Sequence, residues 1–265
     1  MSLIPLYWRR KLEIFLYNLR QRRVQNKVSA VRRNGFVQLC VGPDCVALAS
    51  IGRWKKYRQG IGGQLENVAA RYGFVGIENE AELSRAVVLD IGANIGEFSL
   101  YCAHLGCSVY AIEPDPVNMR ALIENTKNTS IQAVQAALWD KKKDITFYSS
   151  VARADSSLIP PESVEDSYLV QAVPLDQFIE ERQIGEIFFM KADAEGAEPE
   201  VLKGAESALK RTRFISLDCG PERMGESTVS ECAQILRESG FSVKSFGSNG
   251  NMLFGVNAEL TDIAD

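Results

Sequence analysis

A chain of 265 residues, 46% of them hydrophobic and 24% charged, can bury one large core or two small ones and has the make-up of an ordinary globular protein. Its net charge of −4 is unevenly spread: residues 1–35 hold nine Lys or Arg against one acid, Glu13, so they carry +8 and the remaining 230 carry −12. An acidic body argues against nucleic acid as the main partner, and no window reaches the roughly 18 to 20 apolar residues that a membrane span requires.

Residues 8–33 read as a basic amphipathic helix, with Trp8, Leu12, Phe15, Leu16 and Leu19 on one stripe at spacings of three and four. Such a helix can lie peripherally on an anionic membrane surface, as a lipid-linked glycan acceptor would suit, or bind a partner, or pack on the body with its basic face solvated. Arginines and Lys11 interrupt any apolar leader, and a cytoplasmic location, peripheral to the inner membrane face if the helix docks there, is the expectation. Runs at Phe36 to Val41 and Cys45 to Ala49 flank Gly42-Pro-Asp44, a hairpin signal. Residues 53–72 read as mixed helix and loop, with Gly60, Gly62 and Gly63 marking a flexible point. Six cysteines (Cys40, Cys45, Cys102, Cys107, Cys219, Cys232) form no Cys-x-x-Cys pair; they read as reduced, buried thiols, and a zinc site is not expected.

From about residue 81 the pattern changes. Strands are predicted at 86–90, 108–113, 131–137, 187–192, 213–218, 241–246 and 251–256, and helices at 95–105, 116–126, 198–210 and 229–239. This alternation predicts an α/β doubly wound, mostly parallel sheet covered on both faces. The last two strands are too closely spaced for a crossover and must pair as an antiparallel hairpin. Residues 1–80 are then an α+β extension and 81–265 the main domain, with an insertion at 140–186, carrying Pro160-Pro161, that lines the acceptor cleft.

The most informative stretch runs from Ala86 to Leu100. An apolar strand ends in Asp90, breaks at Gly92 and Gly96, and restarts as a helix; a second strand ends in Glu113. Strand, glycine loop, helix, strand, acid is how open α/β sheets seize a nucleoside cofactor. A dinucleotide fold needs glycine where the pyrophosphate presses on the backbone, whereas here the order is Gly-x-Asn-x-Gly. Asn94 therefore favours S-adenosylmethionine (SAM) over a diphosphate. On this reading Asp90 holds the glycine loop and the cofactor's ammonium group. Gly92, Ala93 and Asn94 meet its methionine end, and Gly96 admits close helix packing. Glu113, with Pro114 beside it, takes the ribose diol, and Ala136 and Ala137 admit the adenine.

Val88-Leu-Asp-Ile-Gly-Ala-Asn-Ile-Gly96, Ala111-Ile-Glu-Pro-Asp115, Pro174-Leu-Asp-Gln-Phe178 and Lys191-Ala-Asp-Ala-Glu-Gly-Ala-Glu198 occur in that order. Together they resemble the FkbM family of SAM-dependent methyltransferases over residues 85 to 257. The resemblance implies a seven-stranded sheet and an O-methyltransferase acting on a hydroxyl of a sugar, glycan or polyketide-like product. A nitrogen- or protein-directed enzyme, or an inactive SAM-binding scaffold, are the alternatives.

At the strand end in the Lys191–Glu198 block, Asp193 is the candidate proton acceptor, with Glu195 or Asp218 beside it. The bland reading of Glu195 and Glu198 is that acids favour helix N-termini. Where the family more often shows glutamate, this chain has Asp218. An Asp193–Asp218 pair could hold a divalent cation, but one acid per strand is a weak signal and no metal is expected. His104, the only histidine, falls far from the cleft and reads as structural. Asp155, Ser156 and Ser157 could touch cofactor or acceptor. No oligomeric state follows from the sequence.

Overall fold

In a computed structural model, residues 5–21, 27–77, 83–149, 158–159, 166–223 and 225–260 are described. Helix α1 (Leu6–Arg20) is followed by an antiparallel sheet of β1 (Val28–Arg33), β2 (Phe36–Val41) and β3 (Asp44–Leu48). The predicted 8–33 helix is thus too long. It stops at Arg20, and the alternating burial of Val28 and Ala30 pairs the rest as a strand against β2.

The hairpin between β2 and β3 puts Cys40 directly opposite Cys45, Cα–Cα 4.1 Å, and the two form a disulfide. This corrects the expectation of six reduced thiols: a five-residue separation across one hairpin turn is the register that a cross-strand pair needs. Cys102, Cys107, Cys219 and Cys232 are buried free thiols.

A 3-10 helix (Ile51–Tyr57) and α2 (Ile61–Arg71) lead to the main sheet. The glycine cluster falls at the start of a helix. Gly60, at φ 97°, starts α2, while Gly62 and Gly63 lie within it.

The seven-stranded sheet has the order β12-β13-β11-β10-β4-β5-β6. Its members are β4 (Val87–Ile91), β5 (Ser108–Ile112), β6 (Gln132–Val134), β10 (Ile187–Ala192), β11 (Thr212–Asp218), β12 (Phe241–Phe246) and β13 (Met252–Asn257). All pairs are parallel except those of β13, which is antiparallel to both β11 and β12. The predicted closing hairpin is therefore present.

Helices α3 (Glu97–His104), α4 (Pro116–Thr126), α5 (Leu175–Glu181), α6 (Glu198–Lys203), α7 (Glu206–Lys210) and α8 (Val229–Glu238) cover both faces. The order reverses between β4 and β10, where Ile91 lies beside Ala192. Ligand crevices form at such switch points, beyond the carboxyl ends of the strands.

Two predicted elements divide. The 131–137 strand changes sheet after Val134. Its second part, β7 (Ala137–Leu138), joins β8 (Lys143–Ser149) and β9 (Asp166–Val173) in a three-stranded sheet. The 198–210 helix breaks at Gly204, where a Cβ would lie 2.2 Å from the Trp139 carbonyl oxygen. Asp176 restarts it by accepting from the N–H groups of Ser207 (2.9 Å) and Ala208 (2.8 Å). The insertion also holds α5, which the sequence reading left unassigned.

The extension is sewn to the sheet. Asn125 of α4 accepts from Ala47 N (2.7 Å) and donates to the carbonyls of Ala47 (3.0 Å) and Ile95 (2.8 Å). Among the described residues, no helix is long and apolar enough to cross a membrane.

Candidate active site

A cleft of about 320 Å³ opens at the switch point, within the size range of small-molecule sites. Its lining includes apolar residues (Ile112, Ala136, Leu138, Phe147, Leu158 and Val201) and ionic ones (Glu97, Glu113, Asp193, Glu195, Asp218 and Glu222 with Arg53, Lys56, Arg71 and Lys191). Gly92, Ala93, Asn94 and Pro114 also line it, whereas Asp90, Gly96 and Ala137 lie behind the wall.

The floor is a lattice of loop contacts. Asp90 is fully buried. Its Oδ2 accepts from Ser99 Oγ (2.6 Å), and its Oδ1 lies 3.0 Å from Lys191 Nζ, an ion pair without good hydrogen-bond angles. Lys191 in turn donates to the carbonyl of Gly92 (2.7 Å). Asp90 therefore acts on the glycine loop through Lys191. Burial opposes the Lys191 charge, but Asp90, Asp193 and Glu113 together hold its pKa above the ordinary lysine value.

Gly92 adopts φ 71°, and a Cβ there would sit 1.9 Å from the backbone oxygen of Asp193. The two signature loops touch backbone to backbone. Gly96, at φ 91°, begins α3, where a Cβ would meet Leu122 of α4 at 2.6 Å.

Glu113 ends β5 with both oxygens engaged: Oε2 accepts from Asn94 N (2.7 Å) and Oε1 from Asp115 N (2.8 Å). Asn118 Nδ2 adds a longer contact to Oε1 at 3.5 Å, so three of the roughly four lone-pair directions of the carboxylate are met. Burial raises its pKa to about 8 despite the three donors. Asp115 caps α4 through Val117 N, 2.7 Å.

At the end of β10, Glu195 (φ 50°) and Gly196 (φ 92°) form a left-handed turn. Glu198 clasps this turn by accepting from Ala194 N (2.8 Å) and Gly196 N (3.2 Å), and from the Thr228 hydroxyl (3.2 Å). Glu198 is fully buried, which pushes its pKa to about 8. Asp193 faces the cleft and accepts from Tyr72 Oη at 2.5 Å. Asp218 is ion-paired to Arg71; burial and then Asp193 raise its pKa. Glu222 completes the wall, with its pKa raised to about 7 by burial and then by Asp218 and Asp193.

Sequence reasoning overlooked the contribution from before residue 81. Arg53, Lys56, Val68, Arg71 and Tyr72 all line the cleft. Arg53 donates to Asn94 Oδ1 (2.9 Å) and Glu97 Oε2 (3.3 Å). Glu97, buried at the start of α3, also accepts from Tyr57 (2.6 Å) and Gln64 (2.9 Å). The signal available is the density of Arg, Lys and Tyr between residues 53 and 72. His104 is exposed in the last turn of α3, outside the cleft lining. Asp155, Ser156, Ser157, Pro160 and Pro161 lie outside the described residues. Among the described residues, no group of three or more His, Cys, Asp or Glu side chains is arranged to hold a metal ion.

The cleft suits the cofactor that the sequence suggested. The carboxylates that line it complement a sulfonium cation, and small Ala136 lies among apolar lining residues.

Known proteins agree. The profile of the methyltransferase FkbM domain matches residues 90–243. Hexuronic acid methyltransferase AglP of Haloferax volcanii is 29% identical over 50% of this chain and 55% of its own length, so the chain spans about half of that relative. The 31-O-demethyl-FK506 methyltransferase FkbM of Streptomyces tacrolimicus is 29% identical, covering 59% of this chain and 73% of that protein. Among solved structures, magnesium protoporphyrin IX methyltransferase of Synechocystis PCC 6803 aligns with 97% of this chain and all of its own, at 12% identity and a TM-score of 0.45. With its profile match running from the glycine loop through the carboxylate-lined cleft, the chain belongs to the FkbM family of SAM-dependent methyltransferases.

Proposed function

We propose that this protein transfers a methyl group from SAM to a hydroxyl of a sugar or glycan. The observation that carries the reading is the juxtaposition of Asp193, Glu195, Asp218 and Glu222, at and just beyond the carboxyl ends of β10 and β11, in the same cleft that the glycine loop lines. Bound SAM supplies an electrophilic methyl on a sulfonium. The protein's share is to hold the acceptor oxygen in line with that methyl and to exclude water, an arrangement that can contribute roughly 7–11 kcal/mol. Asp193 takes the acceptor's proton, Glu195 and Asp218 flank it, and acidic walls accept hydrogen bonds from neighbouring hydroxyls. One relative is named for a 31-O-demethyl acceptor and the other for a hexuronic acid, a sugar acid with oxygen nucleophiles and no amine, which supports an oxygen acceptor over an amine.

Incubation with SAM labelled in its methyl group, against neutral glycosides, hexuronic acid glycosides, a macrolide and amine or peptide acceptors, tests this. Label in a base-stable methyl ether is the expected product. Label on nitrogen or protein alone, or none at all while the chain still binds S-adenosylhomocysteine (SAH), would sink it in favour of the amine-directed or scaffold readings.

Within the cofactor site, Glu113 takes the ribose, Ala136 the adenine, and Arg53 with Lys56 the methionine carboxylate. Lys56 lies at the cleft mouth without an ion-pair partner among the described residues, and burial followed by nearby Arg53 lowers its pKa, so an anion there would be welcome.

SAH and 5′-methylthioadenosine separate the roles, because both carry ribose and adenine but only SAH carries the carboxylate. The double variant Arg53→Ala, Lys56→Ala is expected to lose SAH affinity about tenfold or more, near 1.4 kcal/mol, and to keep 5′-methylthioadenosine affinity. Glu113→Ala should weaken both by a similar factor, on the order of 1.5–3 kcal/mol for a charge-assisted contact. Calorimetry in which the double variant loses both ligands equally would remove Arg53 and Lys56 from the carboxylate.

A further inference from the structure

Helix α1 is mounted the wrong way round for a helix serving the core. Amphipathic helices ordinarily turn the apolar stripe inward. Here the inward face buries Ile14, packs Tyr7 and Tyr17 against the core of the extension, and adds polar contacts. Glu13 pairs with Arg10 (2.6 Å) and Lys55 (3.3 Å) and accepts from Trp54 Nε1 (3.4 Å). Asn18 exchanges two hydrogen bonds with Val28, at 2.7 and 2.9 Å, and Lys11 donates to the Ala30 carbonyl at 2.8 Å.

The outward face carries Trp8 (62% exposed), Leu12 (54%), Phe15 (58%), Leu16 (50%) and Leu19 (68%). Their spacing of i, i+4, i+7, i+8 and i+11 puts all five on one stripe. Six of the ten large apolar side chains that stand exposed among the described residues belong to this one helix. Arg9 and Arg20, both exposed, run along one side of the stripe.

We propose that this face of α1 docks on an anionic lipid bilayer, the stripe entering the headgroup boundary and the flanking arginines meeting lipid phosphates. The charge selects this occupant over a second copy of the chain. A two-fold contact through α1 would bring two helices of net +3 together, Arg9, Arg10, Lys11 and Arg20 against Glu13, whereas an anionic surface attracts such a helix. The opposite face of α1 seats the helix on the body: Tyr17 meets the ring of Trp54 edge-on at 5.6 Å, which leaves the apolar stripe turned away from the body. Neither SAM nor the acceptor assignment enters this inference.

The test is co-sedimentation of the full chain with vesicles of phosphatidylcholine and phosphatidylglycerol, and with vesicles of phosphatidylcholine alone. The wild-type chain should pellet with the anionic vesicles, less so in high salt, and only weakly with the neutral ones. The triple variant Trp8→Ser, Phe15→Ser, Leu19→Ser should partition at least about tenfold less, since each of those side chains would otherwise leave water. Arg9→Glu with Arg20→Glu should lose the preference for anionic lipid.

All these side chains are exposed, so melting temperatures should stay at the wild-type value, which separates lost docking from lost folding. Failure of the wild type to pellet with anionic vesicles at low salt would overturn the proposal, as would equal pelleting of the triple variant. A wild-type dimer in sedimentation velocity that the triple variant dissolves, with no vesicle binding, would hand the face to a second copy.

Discussion

Asp193→Asn is expected to lower kcat by roughly 10²–10⁴-fold, the range over which a positioned proton acceptor contributes. The SAH dissociation constant should change by less than about threefold, because an interaction made only on the way to the transition state leaves ground-state binding alone. Asparagine keeps the shape and still accepts from Tyr72 Oη, so the comparison isolates the charge and the proton affinity.

The other cleft acids are differently committed. Asp218 is paired with Arg71, and Glu198 is buried behind the turn that it clasps. Glu222 is the serious competitor, since a carboxyl raised to about 7 is well matched to proton transfer near neutrality. Glu222→Gln is therefore the necessary companion. A rate that climbs as pH rises through about 7, and loses that limb in Glu222→Gln while Asp193→Asn stays active, would move the base to Glu222. Loss of SAH binding together with rate in Asp193→Asn would instead make Asp193 a cofactor residue.

The main sheet was legible because each of its strands is a short apolar run bounded by a turn, and period and length agree at every step. Strand 187–192 and helix 116–126 fall where the pattern put them. The misreadings share a different cause, in that tertiary contacts decided what local pattern could not. Nothing in the sequence around Val134 announces that the chain leaves one sheet for another. Gly204 ends a helix only because the Trp139 carbonyl lies against it. The strand at 28–33 was hidden by its basic, helix-tolerant residues and declares itself only through pairing with β2.

The candidate site divides the same way. Glu113, Asp193, Glu195 and Asp218 were visible at or beside strand ends, where topology alone makes them converge, whereas Glu97 and Glu222 were not. Of its cations only Lys191 lay in a recognisable motif. Arg53, Lys56 and Arg71 reach the cleft by folding of the extension over the strand ends, a placement with no periodic signature. Asp90 shows the limit within a motif, since the acid that ends the signature strand works on the loop from behind, through Lys191.

That indirect design makes Gly92→Ala the second substitution with a large expected effect. An L-residue at φ 71° already costs roughly 1–2 kcal/mol. Far more follows from the Cβ that would sit 1.9 Å from the Asp193 carbonyl, because backbone on both sides leaves no flexible side chain to give way. The loop ends of β4 and β10 must then part, pulling against the Lys191 bond to the Gly92 carbonyl and the bond from Asp193 N to the Ile91 carbonyl at 3.1 Å. A stability loss of about 3 kcal/mol or more is expected, lowering Tm by about 6–12 °C in a chain of this size. SAH affinity should fall more than about tenfold, because the same shift displaces the walls of the cleft. Gly250→Ala supplies the control: its φ of 67° is nearly the same, but its Cβ would meet nothing within 4 Å. That variant should lose only the conformational term and bind SAH normally. Equal melting shifts in the two variants would mean that backbone conformation alone, and not the contact between the two loops, is what Gly92 provides.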